Sequence, residues 1–95
     1  MQPKLTRGAA RDYERIFEFG LHRFGLTQAR RYREGLVEML SIAARDPERF
    51  QRTPQYGEGL RRAIYRSHSV YFKIDEDGDV LVVRILGAQD PASAF

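Results

Sequence analysis

The side chains best equipped for chemistry are gathered between Leu60 and Asp90. Arg61, Arg62, Arg66 and His68 precede or open a pair of alternating, β-branched runs, Ser69–Ile74 and Val80–Leu86, and Arg84 lies inside the second. A guanidinium presents forked donors that match a carboxylate or a phosphate. Tyr65 and Tyr71, interleaved with these cations, offer faces on which bases stack. The same set suits an acidic peptide equally well. In a strand, alternate residues point to opposite faces, which puts Arg62 and Arg66 together and Arg61 on the other side. No thiol stands in this tail and no acid lies within two residues of His68. Binding is therefore the first expectation and catalysis the second.

The other candidates read as structural. His22 lies beside Arg23, off the apolar stripe of a helix, and is expected at the surface. His68 has the right type for a general acid or base, but its polar neighbours are only Ser67 and Ser69, so a structural or partner-contacting role is expected. Asp75, Glu76, Asp77 and Asp79 resemble a metal loop, yet the run to a bidentate glutamate that calcium needs is missing. A solvated hairpin turn is the expectation. The chain carries no P-loop, no dinucleotide-binding glycine pattern and no serine elbow. No catalytic set, metal or cofactor is expected.

Composition sets the frame for these residues. Ninety-five residues are enough for one domain, 1–95, with a modest core. There is no cysteine, so disulfides, thiolate nucleophiles and cysteine metal sites are excluded. Lys and Arg number 16 against 13 acids, a net charge of +3. Only Lys4 and Lys73 are lysines, so fourteen of the sixteen cations are arginine, a usage that genome composition also produces. No apolar run approaches the roughly 18 residues of a membrane span, and the opening MQPKLTRGAA has no apolar signal-peptide core. A cytoplasmic location is expected.

The elements that must hold the tail follow from periodicity. Residues 2–6 alternate weakly and Pro3 restricts them to an edge strand. Thr6 is placed to cap a helix whose stripe is Ala9, Tyr13, Ile16, Phe17, Gly20, Leu21 and Phe24, with Phe19 off it. Gly25 stands where a helix ends. Thr27 is expected to cap a second helix with the stripe Ala29, Tyr32, Leu36, Val37, Met39, Leu40 and Ala43, stopped at Asp46-Pro47. So short a join makes the pair an antiparallel hairpin. Residues 46–60 show no periodicity and read as a long loop anchored by Phe50 and Tyr56. Strands are expected at Arg61–Arg66, His68–Asp75 and Asp79–Gly87, with a hairpin at Asp77-Gly78. Val80, Val82 and Val83 mark the last of these as the buried, central one. The order is that of an α+β domain: an N-terminal strand, then a helical hairpin packed on a small antiparallel sheet.

Taken in order, the residues resemble the ParE branch of the RelE/ParE toxin superfamily. The pieces are Leu-Thr-(x)2-Ala-(x)2-Asp-Tyr-(x)2-Ile over Leu5–Ile16, Phe24-Gly25-(x)2-Gln28-Ala29-(x)2-Tyr32, Asp46-Pro47, Gly59-Leu60-Arg61, Ser67-His68-Ser69-Val70-Tyr71-Phe72, Val83-Arg84-Ile85-Leu86 and Asp90. The resemblance implies a toxin of a type II toxin–antitoxin system that inhibits DNA gyrase by contact and is neutralised by a ParD-like antitoxin. Its alternative is a ribosome-dependent mRNA interferase of the RelE type. That nuclease branch carries an arginine where this chain has Ser69, another where it has Gln89, and a tyrosine near Phe95, which has no hydroxyl. Those departures favour a non-enzymatic toxin, with no direct sequence-specific nucleic-acid binding. Gly87-Ala88-Gln89 also departs from the basic or polar residues usual in ParE toxins after the last strand, leaving the C-terminus without a gyrase-contact assignment. Arg61, Arg62, Arg66, His68 and Arg84, with Phe17 and Phe24, are the expected antitoxin- or target-binding residues. Phe19 and Leu26 add to the apolar surface that an antitoxin is expected to bury.

Overall fold

The backbone of Thr6 is extended and its hydroxyl accepts the amide of Ala9 at 3.0 Å. That cap launches α1, Arg7–Phe24, in a computed structural model that describes residues 3–87 and 91–95. Gln2, Ala88, Gln89 and Asp90, which figure in the sequence reading, lie outside the described residues. Gly25, at φ +89°, closes α1 by donating its amide to the Leu21 carbonyl at 3.1 Å. Glycine takes that conformation without the steric cost of a Cβ. The same residue opens α2, Leu26–Arg45, because its carbonyl accepts the Ala29 amide at 3.1 Å. The expected cap, Thr27, is therefore already inside the first turn. Gly20 faces Ala29 and Phe17 faces Arg33, so the two helices run antiparallel. Asp46 closes α2 ahead of Pro47.

The sheet comprises β1 (Lys4–Leu5), β2 (Gln51–Arg52), β3 (Arg61–Tyr65), β4 (His68–Ile74) and β5 (Val80–Leu86), in the order β1-β5-β4-β3-β2. β1 runs parallel to β5 and the remaining pairs are antiparallel, so the sheet is mixed rather than antiparallel. Periodicity reports which side chains share a face, not which strands pair. The N-terminal strand is also held by Thr6, whose amide and hydroxyl donate to the carbonyls of Val82 and Val83 at 3.0 and 2.7 Å. β4 occupies the middle, and the valine-rich β5 lies between it and β1. Residues 46–60 are not a plain loop. They hold two 3-10 turns, Pro47–Arg49 and Pro54–Tyr56, around β2. A two-residue edge strand leaves no alternation in the sequence.

The main core lies between the hairpin and one face of the sheet. Ala9, Leu36, Leu40 and Ala43 meet Ala63, Val70, Phe72, Val82 and Ile85 there. Burying each large aliphatic or aromatic side chain contributes about 1.5–3 kcal/mol. Phe50 packs edge-on against Phe72 at 5.6 Å. On the opposite face Leu60, Tyr71 and Leu86 are buried under Tyr56 and Ala94, and Phe95 stacks on Tyr56 at 5.6 Å. No helix among the described residues is long and apolar enough to cross a membrane.

Candidate partner-binding groove

The turn between β3 and β4 is where sequence and site meet. Tyr65 pairs with His68, which leaves Arg66 and Ser67 to make the turn. Arg66 sits at φ +52°, the left-handed region, which costs a residue with a Cβ about 1–2 kcal/mol. Its guanidinium stands 5.7 Å from the ring centre of Tyr65, and its Nε donates to the Tyr65 hydroxyl at 3.4 Å. Tyr65 reaches that position because Gly35 on α2 has no side chain. A Cβ there would lie 1.9 Å from the Tyr65 oxygen. Tyr65 meets Tyr32 edge-on at 5.0 Å, and Tyr32 meets His68 edge-on at 5.5 Å.

Tyr32 and His68 are both half-buried. The Tyr32 hydroxyl is hydrogen-bonded to His68 Nδ1, and the Ser67 hydroxyl approaches the same nitrogen at 3.5 Å. Burial pushes the Tyr32 phenol up and the His68 imidazole down from its ordinary 6.5. His68 is thus neutral at pH 7, and the Tyr32 hydroxyl also reaches the Tyr65 carbonyl at 3.4 Å.

Between this turn and the hairpin lies a groove of about 570 Å³. Four of the residues singled out from the sequence line it together: Phe17, Phe24, Arg66 and His68. Phe19 and Phe24 are 64% and 63% exposed, an unusual investment of aromatic surface in so small a chain. Arg33 lies over the Phe17 ring at 4.7 Å, and Arg31 stands on the same rim. Among the described residues, Lys4 and Arg84 are the cations that form ion pairs, so Arg31, Arg33 and Arg66 have no carboxylate. The groove combines an apolar floor with an uncompensated cationic rim. Arg31 and Arg33 were not singled out in the sequence reading, and Tyr32 was placed only on the apolar stripe of the second helix. The legible signal was the basic run Arg30-Arg31-Tyr32-Arg33 on a helix one side of which packs on the core.

The remaining arginines are elsewhere. Arg61 donates from Nη1 to the Phe50 carbonyl at 3.0 Å, tying β3 to residues 46–60. Arg62 donates from Nη2 to Gln51 Oε1 at 3.2 Å. Cross-strand partners share a face, so Arg61 goes with Phe72 on the helical side and Arg62 with Tyr71 on the other. Arg66, being in the turn, does not share a strand face with Arg62. Arg84 leaves β5 for Asp12 of α1, with Nε and Nη2 at 2.7 and 3.0 Å from its two oxygens. Asp12 is only 6% exposed and also accepts the Ile85 amide at 2.9 Å. This is a fastener between helix and sheet. Asp12 was not identified from sequence as a charged member of the core. The available signal was its spacing, three after Ala9 and four before Ile16.

The acidic hairpin is likewise engaged. Lys4 Nζ lies 3.0, 3.4 and 3.1 Å from carboxylate oxygens of Asp75, Asp77 and Asp79, the place a metal ion would take. The Asp79 amide and then Lys4 hold the Asp75 carboxyl below the usual range. Ser69 pairs with Leu86 across β4 and β5.

Comparison with known proteins agrees with this architecture. The profile of the family described as ParE toxin of type II toxin-antitoxin system, parDE, matches residues 4–91. The chain is similar to toxin ParE1 of Mycobacterium tuberculosis, from strains CDC 1551 / Oshkosh and ATCC 25618 / H37Rv. Identity is 27% over 82 residues, 86% of this chain and 84% of the relative. Its fold is similar to that of a solved chromosomal ParDE TA system from P. aeruginosa, with a TM-score of 0.77 and 22% identity, covering 94% of this chain and 97% of that one.

Proposed function

The chain belongs to the ParE toxin family of type II toxin–antitoxin systems, and on that premise we propose that it inhibits DNA gyrase by protein–protein contact and is neutralised by a ParD-like antitoxin. The family match across residues 4–91 carries this reading. The groove supports its second half. An antitoxin segment with apolar and acidic side chains fits an aromatic floor bounded by Arg31, Arg33 and Arg66. Phe17, Phe24, Arg66 and His68 form the centre of that interface. Arg61, Arg62 and Arg84 contribute mainly through the fold.

The non-enzymatic reading is supported by how the ionisable groups are used. Both Asp12 oxygens are taken by Arg84 and the Ile85 amide. A nuclease needs such groups free to exchange protons. The chain acts in the cytoplasm, where gyrase and chromosome lie, as a single domain without cofactor.

The test pairs two assays. Purified toxin incubated with programmed ribosomes is examined by primer extension, and antitoxin affinity is measured for wild type and Phe24→Ala. No codon-specific cuts are expected, together with a loss of affinity in the variant. Cuts that an active-site substitution abolishes would instead establish an mRNA interferase.

A further inference from the structure

The groove does not end at the β3–β4 turn. A shallower depression of about 190 Å³ opens beyond it, lined by Asp12, Arg15, Ile85 and Gly87. Ile16, Phe19 and His68 line both. The two therefore form one trough along α1, with the imidazole at their junction. Placing the Tyr32 proton on the shorter of its two contacts, to His68 Nδ1 rather than to the Tyr65 carbonyl at 3.4 Å, puts the ring proton on Nε2. Among the described residues nothing accepts from that nitrogen. It lies 3.6 Å from where a Cβ on Gly87 would stand, so the missing side chain keeps the donor open. Arg15, Arg31, Arg33 and Arg66 line the trough, and its single carboxylate, Asp12, is already bound to Arg84.

We propose that His68 is a specificity-determining residue of the antitoxin interface, its Nε2–H donating to a carboxylate on an acidic, amphipathic segment whose apolar side chains fill the groove between Phe17 and Phe24. Tyr32 is its positioning residue, fixing the tautomer. The proposal rests on the antitoxin reading of the groove and adds the one polar contact that orders the segment along it. The cationic rim is long-range and tolerant of position, whereas a single N–H at the floor accepts one geometry.

The experiment measures affinity for the cognate antitoxin by calorimetry, using wild type, His68→Leu, His68→Gln and Gly87→Ala. Glutamine places an amide N–H near the position of Nε2. A hydrogen bond to a charged group is worth about 1.5–3 kcal/mol, so His68→Leu is expected to weaken binding by roughly 10- to 100-fold while His68→Gln retains most of the affinity. Gly87→Ala adds a methyl at ordinary contact distance and at a backbone angle open to any residue, so it keeps the fold, covers Nε2 and weakens binding. In the free toxin, long-range nitrogen–proton spectra of the imidazole are expected to show Nε2 protonated, and Tyr32→Phe to mix the tautomers. Binding unchanged in His68→Leu, or lost equally in His68→Gln, overturns the proposal while leaving the antitoxin reading intact. The same holds for Gly87→Ala bound as tightly as wild type. A wild-type toxin that does not bind the antitoxin overturns both.

Discussion

Removing the Arg84 guanidinium is the most demanding perturbation of this fold. Arg84→Ala deletes two charge-assisted hydrogen bonds, at 2.7 and 3.0 Å, to a carboxylate that is 6% exposed. Asp12 then keeps only the Ile85 amide. Breaking a buried pair from one side costs about 3–5 kcal/mol. A chain of 95 residues has a total stability of roughly 5–14 kcal/mol, so the loss is a large share of it. At about 4–8 °C per kcal/mol for a domain of this size, the melting temperature is expected to fall by at least about 12 °C. Asp12→Ala is expected to cost less, about 1–3 kcal/mol, because the Arg84 side chain, 25% exposed, can turn to water and only the Ile85 amide is stranded. Calorimetric melts decide the matter. An Arg84→Ala chain melting within about 4 °C of wild type would refute the reasoning.

Three further outcomes are expected. His68 has its folded-state affinity for protons lowered by burial, so between pH 6.5 and that lower value the unfolded chain binds a proton that the folded chain does not; stability is full above this window, declines as pH falls through it, and the decline vanishes in His68→Gln melts. Gly35→Ala drives a methyl to 1.9 Å from the Tyr65 oxygen and is expected to cost about 1–3 kcal/mol in urea unfolding, with loss of the Tyr65–Arg66 contact. Arg66→Asn relieves the strain at φ +52°, since asparagine tolerates that conformation; it should melt no lower than wild type yet bind antitoxin more weakly, a combination that equilibrium melts and calorimetry together can reject.

The architecture was legible wherever a physical signal is local. The Thr6 cap, the Gly25 reversal, the stop at Asp46-Pro47 and the Asp77-Gly78 hairpin each follow from one or two residues, and the structure places them as expected. What was not legible depends on partners distant in sequence. The parallel pairing of β1 with β5, the two-residue strand β2 and the middle position of β4 are set by tertiary packing, not by alternation. The site divides the same way. Phe17, Phe24, Arg66 and His68 were selected for type and converge on one groove, because the helix stripe and the β3–β4 turn point to the same side. Arg84 was selected on the same grounds, but its guanidinium is spent on Asp12, 72 residues away. Arg31 and Arg33 were not singled out, because nothing local shows that the turn of β3 and β4 lies beside them.

The most direct test of the central claim is the supercoiling of relaxed plasmid by purified DNA gyrase in the presence of this toxin, with and without its antitoxin. The account predicts that supercoiling falls as toxin is added, that equimolar antitoxin restores it, and that Phe24→Ala toxin resists the rescue. Supercoiling untouched at any toxin concentration, in a preparation that still binds antitoxin, would contradict it.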